Sequence, residues 1–194
     1  MRKLIVAAYC VGIVLLAWTA AGVREPRQVA PIVGPLPIDA IVIPVVGVQG
    51  KDLRDTFTAH RAGHDHRAID ILAPRGTPVV AAVDGIVRKL FTSADGGITI
   101  YEADRSNQMI YYYAHLDRYA DGLREGLPLR RGDVIGYVGT SGNAPPGTPH
   151  LHFAIMVLPP TKEWWKGDAV NPYPILVVHG VTVEAGRDSV DGGR

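Results

Sequence analysis

The chain of 194 residues has one cysteine, Cys10, so no internal disulfide can hold it together. Its net charge is close to zero, with 20 basic against 19 acidic side chains, and it lacks the basic surplus expected of a nucleic-acid binder. Only one long apolar run is present, Leu4 to Val23, at the N-terminus. Beyond it, almost no stretch keeps a helical period. Fifteen prolines and 22 glycines break the sequence at short intervals instead. These absences exclude a disulfide scaffold, a polytopic membrane protein and a helical bundle. They leave one domain of short strands with a core of ordinary size.

The N-terminal run follows Arg2-Lys3, a basic flank. Residues 1–23 therefore read as a signal peptide or a transmembrane anchor helix, since about 20 apolar residues match a bilayer core. Ala20-Ala21-Gly22 offers small residues for cleavage. Either fate places the remainder outside the cytoplasm, in the periplasm or cell envelope, secreted or membrane-anchored. Residues 24–39 are polar and proline-rich and read as a linker. The compact domain is expected over 40–178, with a polar, glycine-rich tail over 179–194 that is expected to be partly disordered.

Inside the domain the punctuation is regular. Ala40 to Val46 reads as an edge strand, demoted by Pro44. Ala73-Pro74-Arg75-Gly76 reads as a turn before a strand over Thr77 to Val83. Asp84-Gly85 reads as a hairpin turn leading to Ile86–Phe91. Asp95-Gly96-Gly97 is a further turn. Ile98 to Ala103 and Met109 to His115 read as a pair, followed by Val134 to Val138 and His150 to Leu158. Arg118 to Arg124 is the one stretch with helical character. Turns every 8–12 residues predict a mostly β, antiparallel domain.

Two clusters carry chemistry. His150-Leu151-His152 places two imidazoles on one face of an apolar strand, where each needs a partner. His66-Arg67-Ala68-Ile69-Asp70 spaces a histidine and a carboxylate four apart, and Asp70 sits among Ile69, Ile71 and Leu72, where a cation should lie beside it. Together they suit zinc, which takes imidazole nitrogen and carboxylate oxygen and keeps one open position at a catalytic site. One of His150 and His152 then binds metal while the other polarises water or steadies charge. His115, in Tyr111-Tyr112-Tyr113-Ala114-His115, is expected on the same side as Tyr113. One of these tyrosine rings is expected in the core and one along a groove. His60 and His64 read as solvated turn residues, and Trp164-Trp165 as either a rim or packing over the sheet.

These residues resemble the lysostaphin/LytM-type zinc endopeptidases that cut peptidoglycan peptides. The resemblance rests on His66 to Asp70, Ala73 to Val79, Asp84 to Val87, Tyr113 to Leu116 and His150 to Phe153, in family order. Arg131 to Gly136, Gly139 to Gly142 and Asn171-Pro172 also match. It implies a single antiparallel β-sheet or sandwich domain with an open groove, and a Zn2+ ion bound by His66, Asp70 and His152. It further implies that His115 and His150 stand at the scissile bond as base and oxyanion partner. Ala68 and Ala154 depart from the family's usual Gly and Glu at positions that carry no ligand. The implied substrate is a peptidoglycan peptide, with cell-wall hydrolases as candidate partners, no nucleic acid, and membrane contact through an uncleaved N-terminal segment. Two other readings go with these residues: a regulator that activates a wall amidase without catalysis, and a peptidoglycan-binding module whose structural zinc takes a fourth ligand such as His64 or His115.

Overall fold

The computed structural model describes residues 41–61 and 63–184. The apolar segment 1–23, the linker 24–39 and residues 185–194 of the tail lie outside the described residues. No helix among the described residues is long and apolar enough to cross a membrane.

Three two-residue strands come first: Ile41–Val42 (β1), His60–Arg61 (β2) and His64–Asp65 (β3). Ile69–Leu72 (β4), Pro78–Val80 (β5), Gly85–Ser93 (β6), Gly97–Asp104 (β7) and Met109–Tyr119 (β8) follow. Pro128–Leu129 (β9), Val134–Val138 (β10), His150–Val157 (β11), Asp168–Val170 (β12), a helix Pro172–His179 (α1) and Gly180–Val181 (β13) complete the chain. Strands β6, β7 and β8 form a meander, and β11 pairs antiparallel with β8. The outer edge of β11 carries β4 along its first half and β12 along its second. All pairings in this nine-stranded sheet are antiparallel, in line with the spacing of the turns.

The pleat of β11 divides its residues cleanly. Leu151, Phe153 and Ile155 are fully buried on the core face. Phe153 lies between Ile69 of β4 and Tyr113 of β8, with its ring centroid 5.3 Å from that of Tyr113 and 6.4 Å from that of Tyr111. Each such side chain contributes roughly 1.5–3 kcal/mol by leaving water. His150, His152, Ala154 and Met156 take the opposite face.

Two sequence expectations give way to sheet pairing. Asp84-Gly85 is not a hairpin turn: β5 pairs with β10, while β6 pairs with β7 and β9. Gly85 is required for a different reason, because a Cβ there would lie 2.2 Å from the carbonyl oxygen of Ala103. Arg118 to Arg124 is not helical, because β8 runs on through Tyr119, whose partner is Gly136 of β10. A helix forms instead at Pro172–His179, with Asn171 capping it by accepting a hydrogen bond from the Tyr173 N–H at 2.9 Å and Pro172 in its first turn. Eight residues are too few to display a helical period. Past the helix, Gly180–Val181 pairs in parallel with Ile41–Val42, so the start of the C-terminal segment is part of the folded unit.

Candidate active site

The site is built where β4, β8 and β11 run side by side. His152 is the register partner of Asp70 on one side and of Ala114 on the other. His66 arrives by a different route from the one its spacing suggests. It lies outside β4, and Arg67 takes a positive φ of 55° between them. The turn is anchored by His66 N–H to the Ala59 carbonyl at 3.0 Å and Arg67 N–H to the Phe57 carbonyl at 2.8 Å. Asp70 meets His66 through a turn, not through strand periodicity.

A bulge places His115. Ile98 pairs with Leu116 and Ile100 with Tyr113, so two residues of β8, Ala114 and His115, oppose one of β7. His115 has a φ of 61°, and its N–H donates to the Gly96 carbonyl at 2.8 Å. At this point β8 changes partner from β11 to β10. The bulge corrects the alternation read from the sequence: His115 lines the groove with Tyr112 and Ala114, while Tyr113 is buried in the core. Tyr111 is also buried, so Tyr112 is the ring on the groove side.

Asp70 Oδ1 lies 3.0 Å from His66 Nε2 and 3.3 Å from His152 Nδ1, and the two nitrogens are 2.9 Å apart. His150 Nε2 is 3.7 Å from the same oxygen. Three imidazoles have their outer nitrogen tied to a main-chain carbonyl: His66 Nδ1 to Thr56 at 3.0 Å, His115 Nδ1 to Ser141 at 2.8 Å, and His150 Nδ1 to Thr148 at 2.8 Å. A carbonyl only accepts, so each Nδ1 carries a proton and Nε2 is the nitrogen left to face the cluster. Burial pushes the Asp70 carboxyl up, but the His152 and His66 rings set against it outweigh burial and hold the group well below the usual carboxylate range. Burial lowers His115 to about 4 and also pushes His152 down, so both favour the neutral form.

The donor set fits a cation. Asp70 Oδ1 is buried and accepts no hydrogen bond, an arrangement that is costly unless a positive charge answers it. His66, Asp70 and His152 offer one ligand atom each, all within 4.8 Å of one another. The carbonyl held by His66 Nδ1 is the outer partner that metal-binding histidines ordinarily have. His115 and His150 stand beside this cluster with ring centroids 5.0 Å apart, and His115 is 5.6 Å from His152. All five residues line one cavity of about 450 Å³.

Several contributors carry no sequence signal. Thr56 accepts from His66 through its carbonyl and from the Asp70 N–H through Oγ1 at 3.2 Å. Ser141 is no nucleophile in this setting. Its hydroxyl donates to the Leu116 carbonyl at 2.6 Å and accepts from Ile98 N–H at 2.9 Å, while its carbonyl fixes His115. Arg61, at the end of β2, donates to Asp70 Oδ2. His60 is solvent-exposed, as expected, but it sits in β2 opposite Asp65, 3.7 Å away, and not in a turn. Trp164 packs beside Ala103, Ile110 and Leu158, in line with the packing expectation, and Trp165 is exposed.

Residues 64–172 match Peptidase family M23. The L-Ala–D-Glu endopeptidase of Bacillus subtilis (strain 168) is 37% identical over 116 residues, 57% of this chain and 34% of the relative. The peptidoglycan DD-endopeptidase ShyC of Vibrio cholerae is 37% identical over 92 residues, 47% of this chain and 20% of the relative. This chain thus spans a third of the first relative and a fifth of the second. The catalytic domain of the antimicrobial peptidase lysostaphin from Staphylococcus simulans shares 30% identity at a TM-score of 0.50, over 59% of this chain and 80% of that domain. By the match over residues 64–172, which contains both histidine clusters and the strands that align them, the chain belongs to peptidase family M23.

Proposed function

We propose that the protein is a zinc-dependent endopeptidase that hydrolyses a peptide bond in peptidoglycan cross-links or stem peptides. The observation that carries this reading is the convergence of His66, Asp70 and His152 on one buried oxygen that accepts no hydrogen bond, with two further imidazoles facing it. Three ligands suit a catalytic zinc site, which keeps a position open, better than a closed structural one. The substrate class follows from the wall-acting relatives. The same reading places the domain outside the cytoplasm, with residues 1–23 as signal or anchor, 24–39 as linker and 40–178 as the peptidase unit.

His66, Asp70 and His152 would hold the ion, which supplies Lewis acidity at the scissile carbonyl and at the attacking water. His115 and His150 supply the proton handling. Each ring is locked by its Nδ1–H bond and presents Nε2 to the cavity. One Nε2 accepts the proton that the attacking water loses. The same ring then passes that proton to the leaving amine, while the other ring, with a proton taken up from solvent, donates to the developing oxyanion. Locked rings contribute because no reorganisation is needed as charge develops.

The test is release of soluble peptide from purified sacculi by the metal-loaded protein, followed by mass spectrometry of the products. Release should stop on chelation and return with zinc. Metal-loaded protein that leaves sacculi and defined muropeptides intact would refute the reading.

A further inference from the structure

Arg61 stands at the mouth of the cavity, on the β2–β3 hairpin, and no step above uses it. It is the only lysine or arginine among the described residues that line the cavity. Its Nη2 donates to Asp70 Oδ2, whereas Oδ1 is the oxygen set against His66 and His152. The rest of the guanidinium makes no other hydrogen bond among the described residues, and the side chain is 45% exposed. One terminal nitrogen is thus held, and several N–H donors remain beside the groove.

We infer that Arg61 receives a carboxylate of the substrate, on a residue next to the bond that is cut. This rests on the proposed peptidase reading. The charge balance supports it: a divalent ion and Arg61 together outweigh the carboxylates of Asp70 and Asp95, the acidic side chains lining the cavity, and leave it positive toward a bound ligand. The position sets how far the carboxylate is from the cut. Arg61 touches one oxygen of Asp70 while the other oxygen faces the ligand nitrogens, so its free donors lie about one to two residue lengths, at roughly 3.3–3.6 Å of extended chain each, from the reacting centre. The chemistry favours a carboxylate, which a planar guanidinium grips with two parallel bonds. Stem peptides with free carboxylates are then preferred over the same peptides with carboxamides.

The test compares L-alanyl-γ-D-glutamyl-L-lysyl-D-alanyl-D-alanine with its carboxamide forms, made one carboxyl at a time. The wild type, R61K and R61Q are each loaded with zinc, and bound metal is measured. Wild type should favour one free acid over its amide by about tenfold or more in kcat/KM. R61Q should bring that ratio close to one, and R61K should retain part of it. The ratio is the decisive readout, because an arginine that merely holds Asp70 would lower both rates, or the metal content, and leave the ratio intact. An unchanged ratio in R61Q overturns the inference. If the wild type cuts none of these peptides, isothermal titration gives the same acid-to-amide ratio as affinities. A preference lost in R61Q would then uphold Arg61 while the peptidase reading fails, and no preference would remove both.

Discussion

Glu102 lies fully buried in the core, remote in role from the five groove residues, and its replacement by Gln tests the electrostatics of the fold. Its Oε2 accepts from the Tyr113 hydroxyl and from the Ala82 N–H at 3.2 Å, whereas Oε1 has no partner. Burial is the dominant influence and pushes the carboxyl from its ordinary 4.5 up to about 8, against hydrogen bonds that pull it down. The folded chain therefore keeps a proton that the unfolded chain gives up. The stability linked to this group is fully present below the unfolded pKa of about 4.5, and it is lost as pH rises through the folded value of about 8. The slope in that window is about 1.4 kcal/mol per pH unit, so raising the pH from about 5 to about 8 removes roughly 3–4 kcal/mol. That is a large share of the 5–15 kcal/mol that holds an ordinary domain together. Glu102→Gln keeps the shape and abolishes the titration. Urea unfolding of the chelated proteins at several pH values measures the effect, and the wild-type curve should fall relative to the variant by about 1 kcal/mol or more per pH unit. His115, whose opposite dependence is common to both proteins, cancels in the difference. Parallel curves for the two proteins would refute the reasoning.

Three further outcomes are expected. His150→Ala should cut peptide release from sacculi by about 10²–10⁴-fold while bound zinc per chain stays at the wild-type level; lost zinc would make His150 a ligand. Asp70→Asn removes the charged member of the cluster, and its effect on zinc affinity should exceed the roughly 10–100-fold cost of losing an outer partner, as a competition titration with a chromogenic chelator would read. Gly139→Ala would set a Cβ 2.3 Å from the Asp117 nitrogen and 2.6 Å from its Cα, straining the backbone that bridges Gly139 to His150. It should destabilise by about 1–3 kcal/mol and lower the Tm by about 2 °C or more; an unchanged melting curve would show that the strands part without cost.

Much of this architecture is legible in the residue order because it is local. Alternation in His150 to Val157 assigns Leu151, Phe153 and Ile155 to the core and both histidines to one face, as the pleat requires. The apolar neighbours of Asp70 call for a cation at that carboxylate, and His66 and His152 do lie against it. What the order of residues does not carry is non-local. Asp84-Gly85 has the composition of a hairpin, yet Gly85 is there for a close approach to Ala103. Tyr113 and His115 have the spacing of one strand face, yet a bulge turns them to opposite sides. The main-chain carbonyls of Thr56, Ser141 and Thr148, which fix three imidazoles, are present in every residue type and leave no trace in a sequence.

The sequence by itself determined the β character, the identity of the two histidine clusters and the family resemblance, since each follows from residue types at fixed short spacing. Only the tertiary structure decided which nitrogen of His66, His115 and His150 faces the cavity, that Tyr113 parts from His115 into the core, and that Arg61 lines the cavity. Those facts depend on strand register and on one positive-φ bulge. Both are set by pairing between segments far apart in sequence, as between Asp70 and His152, which no local pattern encodes.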